Sequence, residues 1–183
     1  MSLDEEYGRC EAPGRDVNPH EHNYRPQSLQ RLTEETAPIL RSYLATAERG
    51  LAVPRILHRT TNLLWIVDGV GDLWFAIEEI VHQDSGELLY TYPRTRSLKP
   101  PPEHVKLGHP SLLSAIDKHA RIGGEIQWVP RYNRWVLVNQ SGRYGDRPWQ
   151  TKNHLDAVAR KFNQFGIDFH VVFWSPTNQK VGQ

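Results

Sequence analysis

The sequence predicts a single α+β domain in which helices come first and a largely antiparallel sheet follows. Apolar residues recur every three or four positions across residues 28–50, as on the buried face of one or two helices. Residues 51–92 alternate between β-branched or aromatic runs and tight Gly- and Asp-containing turns, as in a strand meander. A second hairpin, one helix and a final strand are then expected to complete the sheet.

The composition limits the classes of function. The 22 Lys and Arg residues nearly balance the 21 acidic residues, so no overall field draws the chain to nucleic acid or to an anionic membrane. The single cysteine, Cys10, cannot form an internal disulfide, which fits a reducing compartment. The start of the chain has no apolar signal-peptide core, and no apolar run approaches the roughly 18 residues of a membrane helix. We expect a soluble protein without a membrane partner, either cytoplasmic or exported by a leaderless route.

Both ends of the chain are expected to lie outside the packed domain. Residues 1–26 are polar and predict a flexible leader, because they cannot bury enough apolar surface to offset their ordering entropy. Glu21 and its two flanking histidines are interpreted as a solvated strip, since a loop offers no third metal ligand at a recognisable spacing. Residues 27–175 form the predicted domain, and residues 176–183 form a polar tail.

The meander contains three candidate strands, at residues 62–68, 73–82 and 87–92. The pair Glu78-Glu79 interrupts the alternation of the middle strand. Such a pair marks a bulge or an exposed strand end, and we interpret it as part of a solvated strand face rather than as a carboxylate pair for acid–base work.

The second half of the chain begins with a proline-rich connector at residues 93–110, which predicts a stiff spacer or a basic binding arm carrying Arg94, Arg96 and Lys99. After it we expect, in order, a short helix at residues 110–120, a hairpin with strands at 122–129 and 134–139, a helix at 151–166 and a last strand at 167–174. The last strand is apolar enough to be internal to the sheet.

Side chains suited to acid–base or anion chemistry lie at both ends of the second hairpin. His109 precedes the expected short helix and titrates near neutrality in its unperturbed form, and Glu125 can serve as its partner or as an independent base. Arg143 offers a planar donor fork for a phosphate or a carboxylate. Tyr144 can stack on a ring or donate its hydroxyl group. These four residues are the catalytic candidates.

Small residues near the catalytic candidates are the predicted binding residues. A glycine pair within a strand pattern indicates a bulge or a close approach to the backbone, and the turn at Ser141-Gly142 can approach a ligand in the same way. Strand alternation puts Gly124 on the face opposite to Glu125. The predicted binding residues are Ser111, Gly124, Ser141 and Gly142.

A histidine, a glutamate and an arginine around one pocket suit cleavage or transfer at a phosphodiester, because two groups move protons and the cation stabilises charge on phosphorus. The alternative is that Arg143 is a surface residue of a hairpin exit and that His109 caps the following helix. The sequence has no G-x-S-x-G elbow, Walker loop or C-x-x-C motif, and its nine histidines form no short-spaced cluster. We therefore predict neither a metal site nor a cofactor.

The order of the short motifs resembles a weakly characterised domain. HPSL at His109–Leu112, a strand carrying Gly124-Glu125, and SGRY at residues 141–144 are similar to motifs in plant IQ-motif proteins, after their calmodulin-binding segment, and in bacterial toxin-like C-terminal domains. The likeness extends from Leu63 to Trp174. Those domains carry His-Ser-Ser, Gly-Glu or Gly-Arg, and Ser-Gly-His-Tyr. Here Pro110 stands within the first motif and Arg143 replaces the last histidine, so the resemblance transfers no acid–base role to Arg143.

The resemblance implies a bacterial-type effector or orphan domain, and it does not imply calmodulin binding because the IQ segment is absent. Together with the site residues it favours a toxin-like enzyme acting on a nucleotide or nucleic-acid phosphate, either a nuclease or an NAD-directed transferase. His109 and Glu125 are then the acid–base pair, Arg143 the anion clamp and Tyr144 the stacking residue. The alternative is a non-catalytic protein-interaction domain whose tryptophans meet a partner, although the same tryptophans suit a packed core: Trp65, Trp74, Trp128 and Trp135.

Overall fold

The computed structural model describes residues 2–94 and 99–175. Within them the helices are α1 (Leu3–Tyr7), α2 (Pro19–Asn23), α3 (Ala37–Arg49), α4 (Ala52–Thr60) and α5 (Lys152–Asn163). The strands are β1 (Gln30–Arg31), β2 (Leu63–Asp68), β3 (Leu73–Ile77), β4 (Glu79–His82), β5 (Leu88–Thr91), β6 (His104–Leu107), β7 (Ala120–Val129), β8 (Arg134–Val138) and β9 (His170–Val172). Two 3₁₀ turns lie at His109–Leu112 and Pro130–Tyr132.

The strands form two sheets, and the predicted α+β class is confirmed. The larger sheet has the strand order β1-β3-β2-β7-β8-β9 and is antiparallel except for the β8–β9 pair. The smaller sheet has the antiparallel order β5-β4-β6. The predicted middle strand at residues 73–82 is broken at Glu78, where the chain leaves the larger sheet for the smaller one. The predicted meander is therefore divided between two sheets.

The two faces of the larger sheet have different coverings. Helices α3 and α5 cover one face, where their apolar stripes pack with Trp65, Ile126 and Trp128. The opposite face is covered by the 3₁₀ turn at His109–Leu112 and by the segment after β8. Because side chains alternate along β7, Glu125 points to this second face, as predicted. Three of the four tryptophans, Trp65, Trp128 and Trp135, are buried in the core and present no surface to a partner.

The N-terminal segment, predicted to be a flexible leader, packs against the sheets. Tyr7 is part of the main core, and the guanidinium of Arg121 donates to the Gly8 carbonyl at 2.9 Å. Arg147 donates in the same way to the carbonyls of Glu11 and Ala12, at 3.1 and 2.7 Å. The prediction was wrong because it counted apolar surface only, whereas charge-assisted hydrogen bonds to backbone carbonyls fix this polar segment.

Two predictions for the second half of the chain are corrected by tertiary packing. The predicted helix at residues 110–120 is only the short 3₁₀ turn, since Leu112 and Leu113 reach the core from a loop and Ile116 is 97% exposed. The predicted internal strand at 167–174 is the short strand β9, which pairs with β8 and forms the edge of the sheet as far as the structure describes the chain.

The regions around the first sheet also differ from expectation. The helix α4 lies within residues 51–92, for which the sequence predicts a strand meander, and the proline-rich connector contains the strand β6. In that connector Arg96 lies outside the described residues, as do residues 176–183 of the predicted polar tail.

Gly124 is the place where the backbones of β7 and β8 leave no room for a side chain. A Cβ atom built on Gly124 would lie 1.9 Å from the carbonyl oxygen of Val138 and 2.7 Å from the Trp65 ring. The predicted close approach at this glycine is confirmed. The register irregularity of β7 lies elsewhere, opposite Val67 and Asp68.

Replacing Gly124 with alanine is expected to destabilise the fold by about 3 kcal/mol, because a backbone oxygen cannot move aside as a flexible side chain can. The free energy of unfolding in urea measures this loss. Gly14→Ala is the matched control, since a Cβ there would have its nearest contact at 3.6 Å, an ordinary van der Waals distance. Equal unfolding free energies for the two variants would contradict the close approach.

Candidate functional site

A concave pocket of about 640 Å³ lies where the N-terminal segment, β6, β7 and the turn after β8 meet. Three of the predicted catalytic residues, His109, Glu125 and Arg143, line this one cavity. Two of the predicted binding residues, Ser141 and Gly142, line it as well. The tertiary structure thus brings together polar groups from both ends of the second hairpin.

His109 is a buried, neutral imidazole. Its Nε2 lies 2.9 Å from the carbonyl oxygen of Gly124, which can only accept, so Nε2 carries the proton and donates. Burial lowers the pKa of His109 from 6.5 to about 4, against the raising effect of the Gly124 hydrogen bond. This lowered pKa disfavours the role of proton carrier near neutral pH that was predicted for His109. In the neutral ring Nδ1 is an acceptor, not a donor.

Glu125 is a buried carboxylate that faces the pocket from the middle of β7. The side-chain amide of Gln127 donates a hydrogen bond to it and also lies 3.3 Å from the Gln140 side-chain oxygen. Gln127 therefore fixes the orientation of the carboxylate at the edge of the cavity. A carboxylate held in this way is suited to take a proton from a bound group.

Arg143 forms a two-pronged ion pair with Glu21, a residue of α2. Its Nη1 and Nη2 lie 3.1 Å from the two carboxylate oxygens. Glu21 is almost completely buried and also accepts a hydrogen bond from the Gly108 backbone N–H at 3.2 Å. The interpretation of Glu21 as part of a solvated strip is therefore wrong. Arg143 is in the pocket as predicted, but a carboxylate of the protein already occupies two of its donors.

Arg15 is a pocket cation that the sequence interpretation missed. It is exposed, lines the cavity, and forms no ion pair with any residue in the described ranges. Its guanidinium lies beside Gly142, where a Cβ atom would be 3.4 Å from Nη1. Arg15 is thus placed to meet an anion at the mouth of the pocket. The sequence gives no signal for Arg15, because it lies in the polar segment whose composition predicts a flexible leader.

Glu78 and Lys106 form a second ion pair in the pocket. The Nζ of Lys106 lies 2.9 Å from Glu78 Oε1, and only 3% of the Glu78 side chain is exposed. The neighbouring Glu79 is also buried and accepts hydrogen bonds from Ser28 Oγ at 2.6 Å and from the Gln27 backbone at 2.9 Å. The predicted solvated strand face is wrong, because the crossing between the two sheets buries both carboxylates. The sequence signal for this burial is the position of two adjacent acidic residues within an apolar run.

Two predicted site residues have structural positions instead. Tyr144 is completely buried, and its hydroxyl donates to the Lys118 carbonyl at 2.9 Å. Its ring has no accessible face, so the prediction of a stacking residue is wrong. Ser111 is also completely buried and donates to the Gly108 carbonyl at 2.6 Å, which closes the 3₁₀ turn. Gly124 acts on the site through its backbone, because its carbonyl accepts the hydrogen bond that orients the ring of His109.

Comparison of the chain with protein family models, curated proteins and solved structures found no match. Among the residues that the structure describes, no helix has the length and apolar character needed to cross a membrane. No group of three or more His, Cys, Asp and Glu side chains in those same ranges is arranged to hold a metal ion. The function is therefore inferred from the geometry of the pocket.

The buried state of His109 predicts a pH dependence of stability. Its folded-state pKa of about 4 is below the 6.5 of the unfolded chain, so the unfolded state binds more protons between these values. The stability that the neutral imidazole contributes is fully present above the pKa of the unfolded state. It is lost as the pH falls toward the pKa of the folded state. Between about pH 7 and about pH 5 we expect a loss of about 2 kcal/mol.

The measurement is the free energy of unfolding of wild type and His109→Asn at both pH values. The variant lacks the titrating ring, so its stability is expected to fall less on acidification. His22→Asn, at an exposed histidine, is the control and is expected to behave as wild type. A His109 variant with the full wild-type pH dependence would show that this imidazole is not buried in its neutral form.

Proposed function

We propose that this chain is an effector- or toxin-like enzyme that acts on the phosphate of a nucleotide, with the pocket as its active site. The observation that carries the proposal is that His109, Glu125 and Arg143 line one cavity of about 640 Å³. That volume lies within the range of small-molecule sites. The effector class rests on the resemblance of the three short motifs and stays a prediction. Cytoplasmic residence or leaderless export stays a prediction.

Glu125 is the proton acceptor in this proposal. It is buried, faces the cavity and is oriented by Gln127. The deprotonated carboxylate can take a proton from a hydroxyl or water whose oxygen attacks phosphorus, while the bond from phosphorus to the leaving oxygen breaks and the leaving group takes any proton it needs from solvent. His109 is neutral and has its Nε2–H fixed on the Gly124 carbonyl, so its role is to accept a hydrogen bond through Nδ1 and position the reacting group. The proposed acid–base work therefore belongs to Glu125 rather than to the imidazole.

Arg15 and Arg143 hold the phosphate. Arg143 is fixed by its ion pair with Glu21 and keeps part of its surface exposed, whereas Arg15 has no carboxylate partner within the described chain. Fixed donors next to a phosphoryl group stabilise the charge that develops on its oxygens. Arg15 keeps its donors available for the phosphate, since the pocket's other Arg and Lys side chains are paired with Glu21 and Glu78.

The charge of the whole chain favours a mononucleotide or a dinucleotide over a long nucleic acid. Binding to a polyanion depends on many Lys and Arg contacts to phosphates. This chain has a net charge of +1, and each Arg or Lys in the pocket other than Arg15 is accompanied by a carboxylate. We therefore place NAD-directed transfer or nucleotide hydrolysis ahead of nuclease activity.

The first prediction from this proposal concerns Arg15. Arg15→Gln is expected to weaken the binding of ADP and of NAD about tenfold or more, because it removes a charged donor to the phosphate. Isothermal titration calorimetry measures the dissociation constants. The control is Arg31→Gln, at an exposed arginine that pairs with Asp72 and is absent from the pocket lining. If neither nucleotide binds the wild-type protein, or if both variants bind alike, the proposed anion site is wrong.

The second prediction concerns Glu125. Glu125→Gln keeps the shape of the side chain but removes its basicity, and we expect turnover to fall by a factor of about 10² to 10⁴. Chromatography of NAD, ADP and RNA incubated with each variant detects the products. Expression in a bacterial host gives a second readout, in which wild type is expected to be toxic and folded Glu125→Gln harmless. Undiminished turnover in the variant would exclude Glu125 as the base.

A different observation favours the second candidate function, a non-catalytic protein-interaction domain. Helix α4 has its polar side inward, where His58 stacks on Tyr43 with ring centroids 4.1 Å apart and Arg59 lies over the Trp128 ring. Its apolar residues point outward, and Leu57 and Val53 are 59% and 68% exposed. No acidic residue occurs between Arg49 and Asp68, so the fitting partner is a protein segment of apolar residues flanked by carboxylates. Harmless expression of wild type, with such a partner recovered, would favour this function.

A further inference from the structure

Trp174 is an exposed tryptophan close to the candidate site. It follows the edge strand β9 and is 55% exposed, whereas the three core tryptophans are buried. The half-buried Trp74 and Trp149 each have an arginine over the ring. The Trp174 ring has no stacking or cation–π partner in the part of the chain that the structure describes. Its ring is therefore available to a ligand.

The backbone of Trp174 is fixed to the segment after β8 by the side chain of Asn139. The Trp174 backbone N–H donates to Asn139 Oδ1 at 2.7 Å, and Asn139 Nδ2 donates to the Trp174 carbonyl at 3.0 Å. Asn139 is itself buried, and its Nδ2 also donates to the Gly145 carbonyl at 2.7 Å. A ring carried on a fixed backbone loses little freedom when a ligand binds, so Trp174 is preorganised for stacking.

Trp174 lines a small cleft of about 140 Å³ that adjoins the main pocket. Four residues line both the cleft and the pocket: Arg15, Gln140, Ser141 and Gly142. Arg15, the cation that is proposed to hold the phosphate, is thus shared by the two spaces. A molecule whose phosphate meets Arg15 can therefore place a neighbouring group against Trp174.

The charges of the two spaces decide which part of a nucleotide fits each one. Apart from the shared residues, the described lining of the cleft has one charged side chain, the exposed Asp146, and no Arg or Lys. A phosphate is repelled by this carboxylate, whereas a neutral nucleobase is not. Nucleobases stack on aromatic side chains such as that of tryptophan. The base therefore fits the cleft, and the phosphate fits Arg15 and the main pocket.

We propose that Trp174 forms a base subsite, in which a nucleobase stacks on the indole ring while its phosphate is held by Arg15, so that the substrate is a nucleoside phosphate and not a simple sugar phosphate. This inference rests on the proposed function and adds the recognition of the base to it. Every base has a π-face, so the subsite recognises nucleobases as a class. Trp174 takes the stacking role that was predicted for the buried Tyr144.

The test compares the binding of AMP and of ribose 5-phosphate, which has the same sugar and phosphate without the base, by calorimetry. We expect the wild-type protein to bind AMP about tenfold or more tightly than ribose 5-phosphate, as for one stacked base. Trp174→Ala is expected to lose most of this preference while its binding of ribose 5-phosphate is unchanged. Trp174→Phe keeps an aromatic ring and is expected to retain the preference. Tyr132→Ala, at an exposed aromatic residue outside both linings, is the matched control and keeps the wild-type preference.

The outcomes separate the two proposals. If the wild-type protein binds AMP and ribose 5-phosphate equally tightly, the base subsite is overturned and the phosphate site stands. If it binds neither, the nucleotide site and its base subsite are both overturned. If folded Trp174→Ala keeps the full preference for AMP, the base is not held at Trp174. Should Trp174→Ala fail to fold, the quenching of tryptophan fluorescence by AMP takes its place. This quenching is expected in wild type and lost in Trp174→Phe, and its persistence in that variant would overturn the subsite.

Discussion

The architecture of the pocket depends on one buried carboxylate, that of Glu21. Its oxygens accept hydrogen bonds from Arg143, from the Gly108 backbone and from the Asn18 backbone, at 3.0 to 3.2 Å. These contacts join the N-terminal segment to the turn after β8 and to the start of the 3₁₀ turn. A buried charge without partners is strongly destabilising, so the three segments are held where they satisfy it. The segment that carries Arg15 thereby becomes one wall of the cavity.

The electrostatic character of the pocket follows from such pairing. Two carboxylates, Glu21 and Glu78, are each matched by a cation, and burial keeps His109 neutral. Glu125 is a third carboxylate of the lining, and the exposed Arg15 has no carboxylate partner among the described residues. The lining therefore carries three carboxylates and three Arg or Lys side chains.

The second hairpin shows where sequence patterns succeed. The alternation of β7 correctly put Glu125 on the face opposite to Gly124, and the glycine at position 124 correctly indicated a close approach of backbones. Both properties are local, since they depend on strand period and on the space at one Cα. The same reasoning failed for Tyr144, because the covering of a ring depends on which segments pack above it. It failed for Glu78 because the break between two sheets lies within one apolar run.

The sequence by itself determined the α+β class, the second hairpin and helix α5, and it singled out His109, Glu125 and Arg143 as candidate site residues. Those features follow from periodicity, turn residues and chain proximity, which are encoded within a few residues. Only the tertiary structure decided that the polar N-terminal segment folds back to supply Glu21 and Arg15, and that Glu78 is buried at the same cavity. These contacts join residues far apart in the chain through hydrogen bonds and ion pairs, and no local pattern records which distant partner a charge will find.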